Sequence, residues 1–303
     1  MKNLRSLALL GVLGILLLIL SQQSKNEKEV FGIKRGASTP PPVVSVKPLS
    51  SYDFAGEQVA ISSSFDLYER LDRELQIVAY RHSSTLDVLK LSGRYFPLMD
   101  RILREYNLPL DLKYVAVAES GLRHVSSPAG ARGIWQFLKG SAEEYGLEVG
   151  KEVDERLHVE KSTRAACEKL RDLHDRFGSW VLAVAAYNMG ASALRKALEQ
   201  QGSHSFFDLN LNEETSRYFF RILAYKDLFE RPEAFGYHLS KSEKYKPLDH
   251  YREVKVEKSV SSWAAFAERH NTTYRLLKVY NPWLLSSSLE VSKGKTYVIK
   301  LPK

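Results

Sequence analysis

The sequence predicts a mainly α protein that ends in a small βααβ module. Three observations predict it. Apolar residues recur at helical spacing from Leu67 to about Phe229. After about Tyr237 the composition shifts, and apolar and polar residues alternate around Val254–Val256 and Tyr297–Leu301. A chain of 303 residues with a hydrophobic fraction of 44% is long and apolar enough for one or two cores.

Taken in order, the chain opens with "MKNLRSLALLGVLGILLLIL". Lys2 and Arg5 precede an apolar run from Leu7 to Leu20, the layout of a secretory signal. The run holds about 14 residues, short of the ~20 of a spanning helix. Residues 1–23 are therefore expected to be a signal peptide or signal anchor, and the chain to be exported to the periplasm or cell envelope. No cysteine stands directly after the run, so a lipoprotein anchor is not expected. If the segment is retained, it ties the protein to a membrane. Residues 24–50, with charges, serines and the Pro40–Pro42 run, read as a linker with little to bury.

A helical part is expected over residues 51–108, with breaks near Ser92-Gly93, Pro97 and Pro109. Between the two last prolines, Leu98, Met99, Ile102, Leu103 and Tyr106 form an apolar stripe. A second helical region is expected over 109–240. Its first helix should run from Pro109, at a first helical position, to about Ser120, with Gly121 as its cap. Ser162 is placed as the N-cap of a helix ending at Phe177, whose stripe is Ala166, Leu170, Leu173 and Phe177. "WVLAVAAYN" is apolar all round and belongs in a core. "ASALRKALEQQG" follows as a short amphipathic helix, and Glu214–Phe229 as another. Residues 245–303 read as strand, helix, helix, strand.

Net charge is +8, which favours anionic partners such as an acidic cell-wall polymer or lipid headgroups. Nucleic acid is not expected, because no motif interleaves aromatic and basic residues and an exported chain would rarely meet it. The single cysteine, Cys167, excludes an intramolecular disulfide, and the eight histidines show no HExxH pattern. No metal and no cofactor is expected, and the chain is expected to be a monomer.

The most informative stretch is "YVAVAESGL", Tyr114 to Leu122. On a helix, Leu112, Val115, Ala116 and Glu119 share one face, so Glu119 extends an apolar stripe. It also lies in the last turn, where the negative end of the helix disfavours a carboxylate. Partial burial and that dipole both raise a glutamate pKa, and a glutamate protonated near neutrality is what a general acid requires. A carboxylate bathed in water at a frayed helix end would show the same local pattern. The downstream motifs favour the acid. "SSPAGARGIWQF" sets Gly130 and Gly133 in a loop that permits close backbone approach, beside Gln136, Trp135 and Phe137. "AAYNMG" places Tyr187 and Asn188 at the end of the apolar helix.

"AESGLRHVSSPAGARGIWQF", "VDERL", "WVLAVAAYNMG" and "ETSRYFFRILA" occur in that order. This series resembles the catalytic domain of the soluble-type lytic murein transglycosylases, which share the goose-type lysozyme fold; the resemblance covers about Tyr52 to Tyr237. It implies a lysozyme-like helical catalytic domain. It implies cleavage of the β-1,4 bond between N-acetylmuramic acid and N-acetylglucosamine in peptidoglycan, giving 1,6-anhydro ends without water. By position, Glu119 matches the catalytic acid/base, and Ser127, Gly130 and Gln136 match residues lining the sugar and stem-peptide groove. Tyr187 and Asn188 match the pair beside the glutamate, while Tyr218, toward the cleft, and the supporting Glu214 match the last motif. Lys139, His158-Val159 and Met189 depart from the common pattern, which puts local loop shape in doubt.

A muramidase on the same fold, with a second carboxylate such as Asp154 or Glu155 positioning water, stays open, as does a non-catalytic peptidoglycan-binding scaffold. The C-terminal module resembles a LysM domain, with Asn281-Pro282 at the usual place and Lys258-Ser259 where Gly-Asp is usual. A small packing domain without a ligand is the other reading of it.

Overall fold

The computed structural model describes residues 45–303. The expected signal segment and all but the end of the expected linker lie outside the described residues. That end is tied down: Val46 is buried, and its carbonyl accepts a hydrogen bond from Gln76 Nε2 at 2.9 Å.

The chain enters through a hairpin absent from the sequence reading, β1 (Tyr52–Phe54) and β2 (Glu57–Val59), paired with Tyr52 opposite Val59. Strands of three residues are too short to show alternation. What holds them is tertiary contact. Phe54 is buried, Tyr52 Oη donates to Asp227 at 2.7 Å, and the Ala55 amide donates to Asp111 at 2.8 Å.

Helix α1 (Phe65–Tyr80) follows, capped by Ser64. Helix α2 (His82–Glu105) runs unbroken for 24 residues, so the expected breaks at Ser92-Gly93 and Pro97 do not occur. Pro97 would press its ring on the carbonyl of residue 93. Gly93 is there for another reason: a Cβ on it would lie 2.7 Å from Lys244 Cβ and 2.8 Å from the Tyr245 carbonyl. Packing of the downstream chain therefore explains the glycine, and burial of Val88, Leu89, Met99, Ile102 and Leu103 outweighs the proline. Each such side chain contributes about 1.5–3 kcal/mol.

Pro109 does not open a helix as expected; it precedes a 3₁₀ turn, Leu110–Leu112, with ψ at 136°. Helix α3 (Lys113–Ser120) then carries Glu119 in its last turn and ends at Gly121, φ 62°. A short helix α4 (Lys139–Glu144) follows. Helix α5 (Val159–Phe177) begins earlier than expected, because the His158 side chain accepts from the Lys161 amide and takes the capping place assigned to Ser162. Helix α6 (Trp180–Met189), capped by Ser179, has Val181 to Tyr187 all buried, as its composition requires. Helix α7 (Ala191–Gln201) and helix α8 (Glu213–Glu230) complete the helical part; α8 extends one residue beyond expectation at each end and is capped by Asn212. Helix α8 packs along α1, α3 and α6, and buries Tyr218, Phe219, Phe220, Ile222 and Leu223 in one core.

The C-terminal module is β3 (Tyr251–Val256), α9 (Trp263–Arg269), α10 (Tyr274–Tyr280) and β4 (Tyr297–Pro302). The strands pair antiparallel, Tyr251 opposite Pro302 through Val256 opposite Tyr297. This is the expected strand, helix, helix, strand order, around a second core of Trp263, Phe266, Leu277, Trp283, Ile299 and Leu301. The described chain is thus mainly α with two small antiparallel pairs. Among the described residues no helix is long and apolar enough to cross a membrane.

Candidate functional site

Helix α3 delivers Glu119 at the end of an apolar face formed by the buried Leu112, Val115 and Ala116. Its carboxylate accepts a hydrogen bond from Tyr218 Oη at 2.6 Å, and Tyr218 is itself buried in α8. Burial pushes the Glu119 pKa up to about 7. The Tyr218 hydrogen bond and the charges of Lys169 and Arg221 pull it down, and the Glu214 charge adds to the rise. The Tyr218 phenol is raised well above its usual value by its own burial and by the facing carboxylate, so it stays a donor.

The loop after α3 is knitted to the end of that helix. Ser120 Oγ donates to the Ile134 carbonyl at 2.8 Å. Tyr187 Oη, from α6, donates to the Trp135 carbonyl at 2.7 Å, and the buried Trp135 indole donates to Thr163 at 2.9 Å. Gly130 donates its amide to Ser127, and Ser127 Oγ accepts from Ala131 at 3.0 Å. Gln136, at φ 51°, donates through Nε2 to the Val125 and Gly133 carbonyls at 3.0 and 2.7 Å. Its nitrogen therefore closes the loop. Gly133 is required at its position: with φ 84°, a Cβ there would lie 2.0 Å from the Arg156 carbonyl oxygen.

The sequence-derived residues fall into three groups. Glu119 and Tyr218 meet directly. Ser127, Gly130, Gln136 and Tyr187 build or anchor the loop that follows Glu119. Asn188 is half-buried at the end of α6 beside Tyr187, and Glu214 is exposed at the start of α8, ion-paired with Arg221 at 2.9 Å.

Two charged residues escape the sequence reading. Lys169, on α5, lies with Nζ 4.2 Å from the Tyr187 ring centroid and 5.3 Å from that of Phe137. Burial lowers its pKa. The available signal is its place beside Leu170 and three residues after Ala166, at the margin of the buried stripe. Arg221 follows Tyr218 by three and Glu214 by seven, so the three share one face of α8.

The second carboxylates considered from sequence are otherwise engaged. Asp154 is buried against Arg156, at 2.7 Å, and Arg132, at 3.2 Å. Glu155 pairs with Lys161 and accepts from the Glu148 amide at 2.9 Å. Among the described residues no group of His, Cys, Asp and Glu side chains is arranged to hold a metal ion.

Comparison with known proteins adds the following. Residues 100–210 match the family model of the transglycosylase SLT domain, and residues 252–303 that of the soluble lytic transglycosylase C-terminal LysM-like domain. Membrane-bound lytic murein transglycosylase D of Escherichia coli (strain K12) is 30% identical over 261 residues, 82% of this chain and 55% of that protein. A putative tributyltin chloride resistance protein of Alteromonas sp. (strain M-1) is 33% identical over 112 residues, 35% of this chain and 54% of that protein. The chain spans about half the length of the curated relatives it matches. Among solved structures, the lytic transglycosylase Slt of Pseudomonas aeruginosa aligns with a TM-score of 0.42 at 18% identity, over 62% of this chain and 32% of that one. The 70 kDa soluble lytic transglycosylase of Escherichia coli aligns with a TM-score of 0.40 at 20% identity, over 62% and 34%.

Proposed function

This chain carries a transglycosylase SLT domain and a LysM-like C-terminal domain and is homologous to membrane-bound lytic murein transglycosylase D, and from that premise we propose that it is a peptidoglycan lytic transglycosylase. The observation that carries the reading is Glu119: a carboxyl on an apolar helix face, held by Tyr218, with its pKa pushed up to about 7. At neutral pH a large share of it is protonated, as a general acid requires.

Glu119 protonates the bridging oxygen as the bond to muramic acid C1 breaks. The resulting carboxylate takes the proton from the C6 hydroxyl, whose oxygen bonds to C1 and closes the 1,6-anhydro ring. One carboxyl performs both transfers and no water is consumed. Hydrolysis generally asks for a second carboxylate in the cleft. The fixed ion pairs of Asp154 and Glu155 leave neither free for that task, which favours the lyase over the muramidase. Ser127, Gly130, Gln136 and Asn188 line the groove in this reading, and Tyr187 and Tyr218 hold its floor. The enzyme works as a monomer in the cell envelope, with residues 1–23 directing export or membrane attachment.

Mass spectrometry of the muropeptides released from purified sacculi tests the proposal. Anhydro-muramic ends are expected. Reducing ends would replace the lyase by a hydrolase, and no release by the folded protein would leave a binding scaffold.

A further inference from the structure

The "VDERL" motif has no part in proton transfer, yet it sits where the two cores meet. On one side it is bound by the loop between α10 and β4. The Asp154 amide donates to the Trp283 carbonyl at 2.9 Å, and the Leu285 amide donates to the Glu152 carbonyl at 2.7 Å. The Glu290 amide donates to the Glu152 carboxylate at 2.9 Å. Val153 bridges to Leu284 and is buried in the apolar core of the module. Just upstream, the Glu148 carboxylate accepts from Tyr297 Oη at 3.0 Å and pairs with Lys295 at 2.7 Å.

On its other side the same turn holds the loop beside Glu119. Asp154 fixes Arg156 through Nε, at 2.8 Å, and Nη2, at 2.7 Å. Arg156 Nη1 then donates to the Gly130 carbonyl at 2.9 Å and the Phe137 carbonyl at 3.2 Å. The Arg156 carbonyl closes over Gly133 so tightly that no side chain fits there. From that loop, the Ile134 and Trp135 carbonyls receive Ser120 and Tyr187. An unbroken path of hydrogen bonds and packing therefore leads from Trp283 to the end of α3.

We propose that the C-terminal module is a positioning part of the catalytic cleft: its α10–β4 loop clamps residues 152–156, which hold the Gly130–Phe137 loop in place beside Glu119. This deepens the transglycosylase reading and rests on it for its effect on turnover, while the mechanical claim stands on the contacts alone. A module that served only as a wall-binding arm would need no such seat. Here the loop that follows α10 is committed to the catalytic part, and its removal would leave Val153 and the Asp154 amide without partners.

The test uses the full chain and three variants. Glu152→Lys removes the carboxylate contacts to the Glu290 amide and to Ser288 Oγ, the latter at 3.4 Å, and puts a cation in their place. Leu284→Ala thins the seat of Val153. Glu152→Gln keeps an acceptor and serves as the conservative control. Turnover is measured on short soluble glycan strands, binding by pelleting with sacculi, and local opening by hydrogen–deuterium exchange of residues 125–137. Glu152→Lys and Leu284→Ala are expected to lower kcat about ten-fold or more with KM within about two-fold, to speed exchange in the loop, and to leave pelleting unchanged; Glu152→Gln stays near wild type. Unchanged exchange in the loop, or loss of pelleting with normal kcat on the short strands, overturns the proposal. If the wild-type protein cleaves nothing, the transglycosylase reading falls, and the exchange measurement still decides whether the module clamps the loop.

Discussion

Two carboxylates, Glu119 at the end of α3 and Asp154 in the turn before α5, sit in poorly hydrated places and titrate in opposite directions. Burial raises Glu119, and a single phenol hydrogen bond with the charges of Lys169 and Arg221 does not cancel it. Burial also works to raise Asp154, but the Arg156 hydrogen bonds and charge, with Arg132, outweigh it and leave the acid below its ordinary range. The difference lies in the partner. A guanidinium makes a buried carboxylate a fixed anion that holds loops together, whereas a phenol leaves it able to exchange a proton. One chain thus holds the same functional group as a readily titrated acid in one region and as a structural anion in the other.

The strongest way to break that comparison is Glu119→Gln. Turnover on sacculi should fall by roughly 10²–10⁴, the range for loss of a general acid. The folded-state pKa of Glu119 lies above its ordinary 4.5, so its stabilising contribution is complete below that value and is lost as pH rises through about 7. The glutamine variant escapes that loss. At pH 8 it should be more stable than wild type by on the order of 2–3 kcal/mol, with no gain near pH 4, as urea unfolding at the two pH values would read. A variant both inactive and less stable at pH 8 would contradict a strained, proton-holding glutamate.

The matching substitution, Asp154→Asn, should act in the opposite way. It leaves Arg156 buried without its anion, at a cost of about 3–5 kcal/mol in unfolding free energy. Because Arg156 also holds Gly130 and Phe137, activity should fall along with stability. Full activity at normal stability would show that the ion pair does not hold the loop.

How far each region can be read from sequence follows from the same contrast. Glu119 is legible because its apolar stripe is local: Leu112, in the 3₁₀ turn that leads into α3, and Val115 and Ala116, on α3, lie within eight residues of it at helical spacing. Tyr218 is placed toward the cleft by resemblance, and the hydrogen bond to Glu119 joins helices 99 residues apart in sequence, which no periodicity encodes. Asp154 is visible as part of a motif, but its role depends on Trp283 and Arg132, which reach it from two separate segments. The hairpin Tyr52–Val59 is held by distant Asp111 and Asp227, and Pro97 is tolerated because of burial along α2, so local rules miss both. The C-terminal βααβ order is legible from alternation and short amphipathic runs; the seat of that module on residues 152–156 is not.

Smaller changes sharpen the comparison at Glu119. Tyr218→Phe removes the hydrogen bond that lowers its pKa, so the alkaline limb of the pH–rate profile should move to higher pH. One hydrogen bond to an ionised group is worth about 1.5 kcal/mol, so the limb should move up by about one pH unit. A limb that moved down would mean that the phenol does not stabilise the carboxylate.

The smallest expected effect is that of Glu214→Gln. Glu214 is exposed, and its charge raises the Glu119 pKa. Its pairing with Arg221 also offsets a cation that lowers the same pKa. Removing the carboxylate therefore acts twice in one direction, and the alkaline limb should move slightly to lower pH while kcat at the optimum stays within about two-fold. Because this charge stands in water, salt should screen it: at about 1 M ionic strength the Debye length falls to ~3 Å and the profiles of wild type and variant should coincide. The shift from Tyr218→Phe should survive the same salt, since it arises from a direct contact in a buried position. Loss of both shifts in salt would place Glu119 in a far wetter site than its helix face indicates, and would erase the distinction between it and an ordinary surface carboxylate.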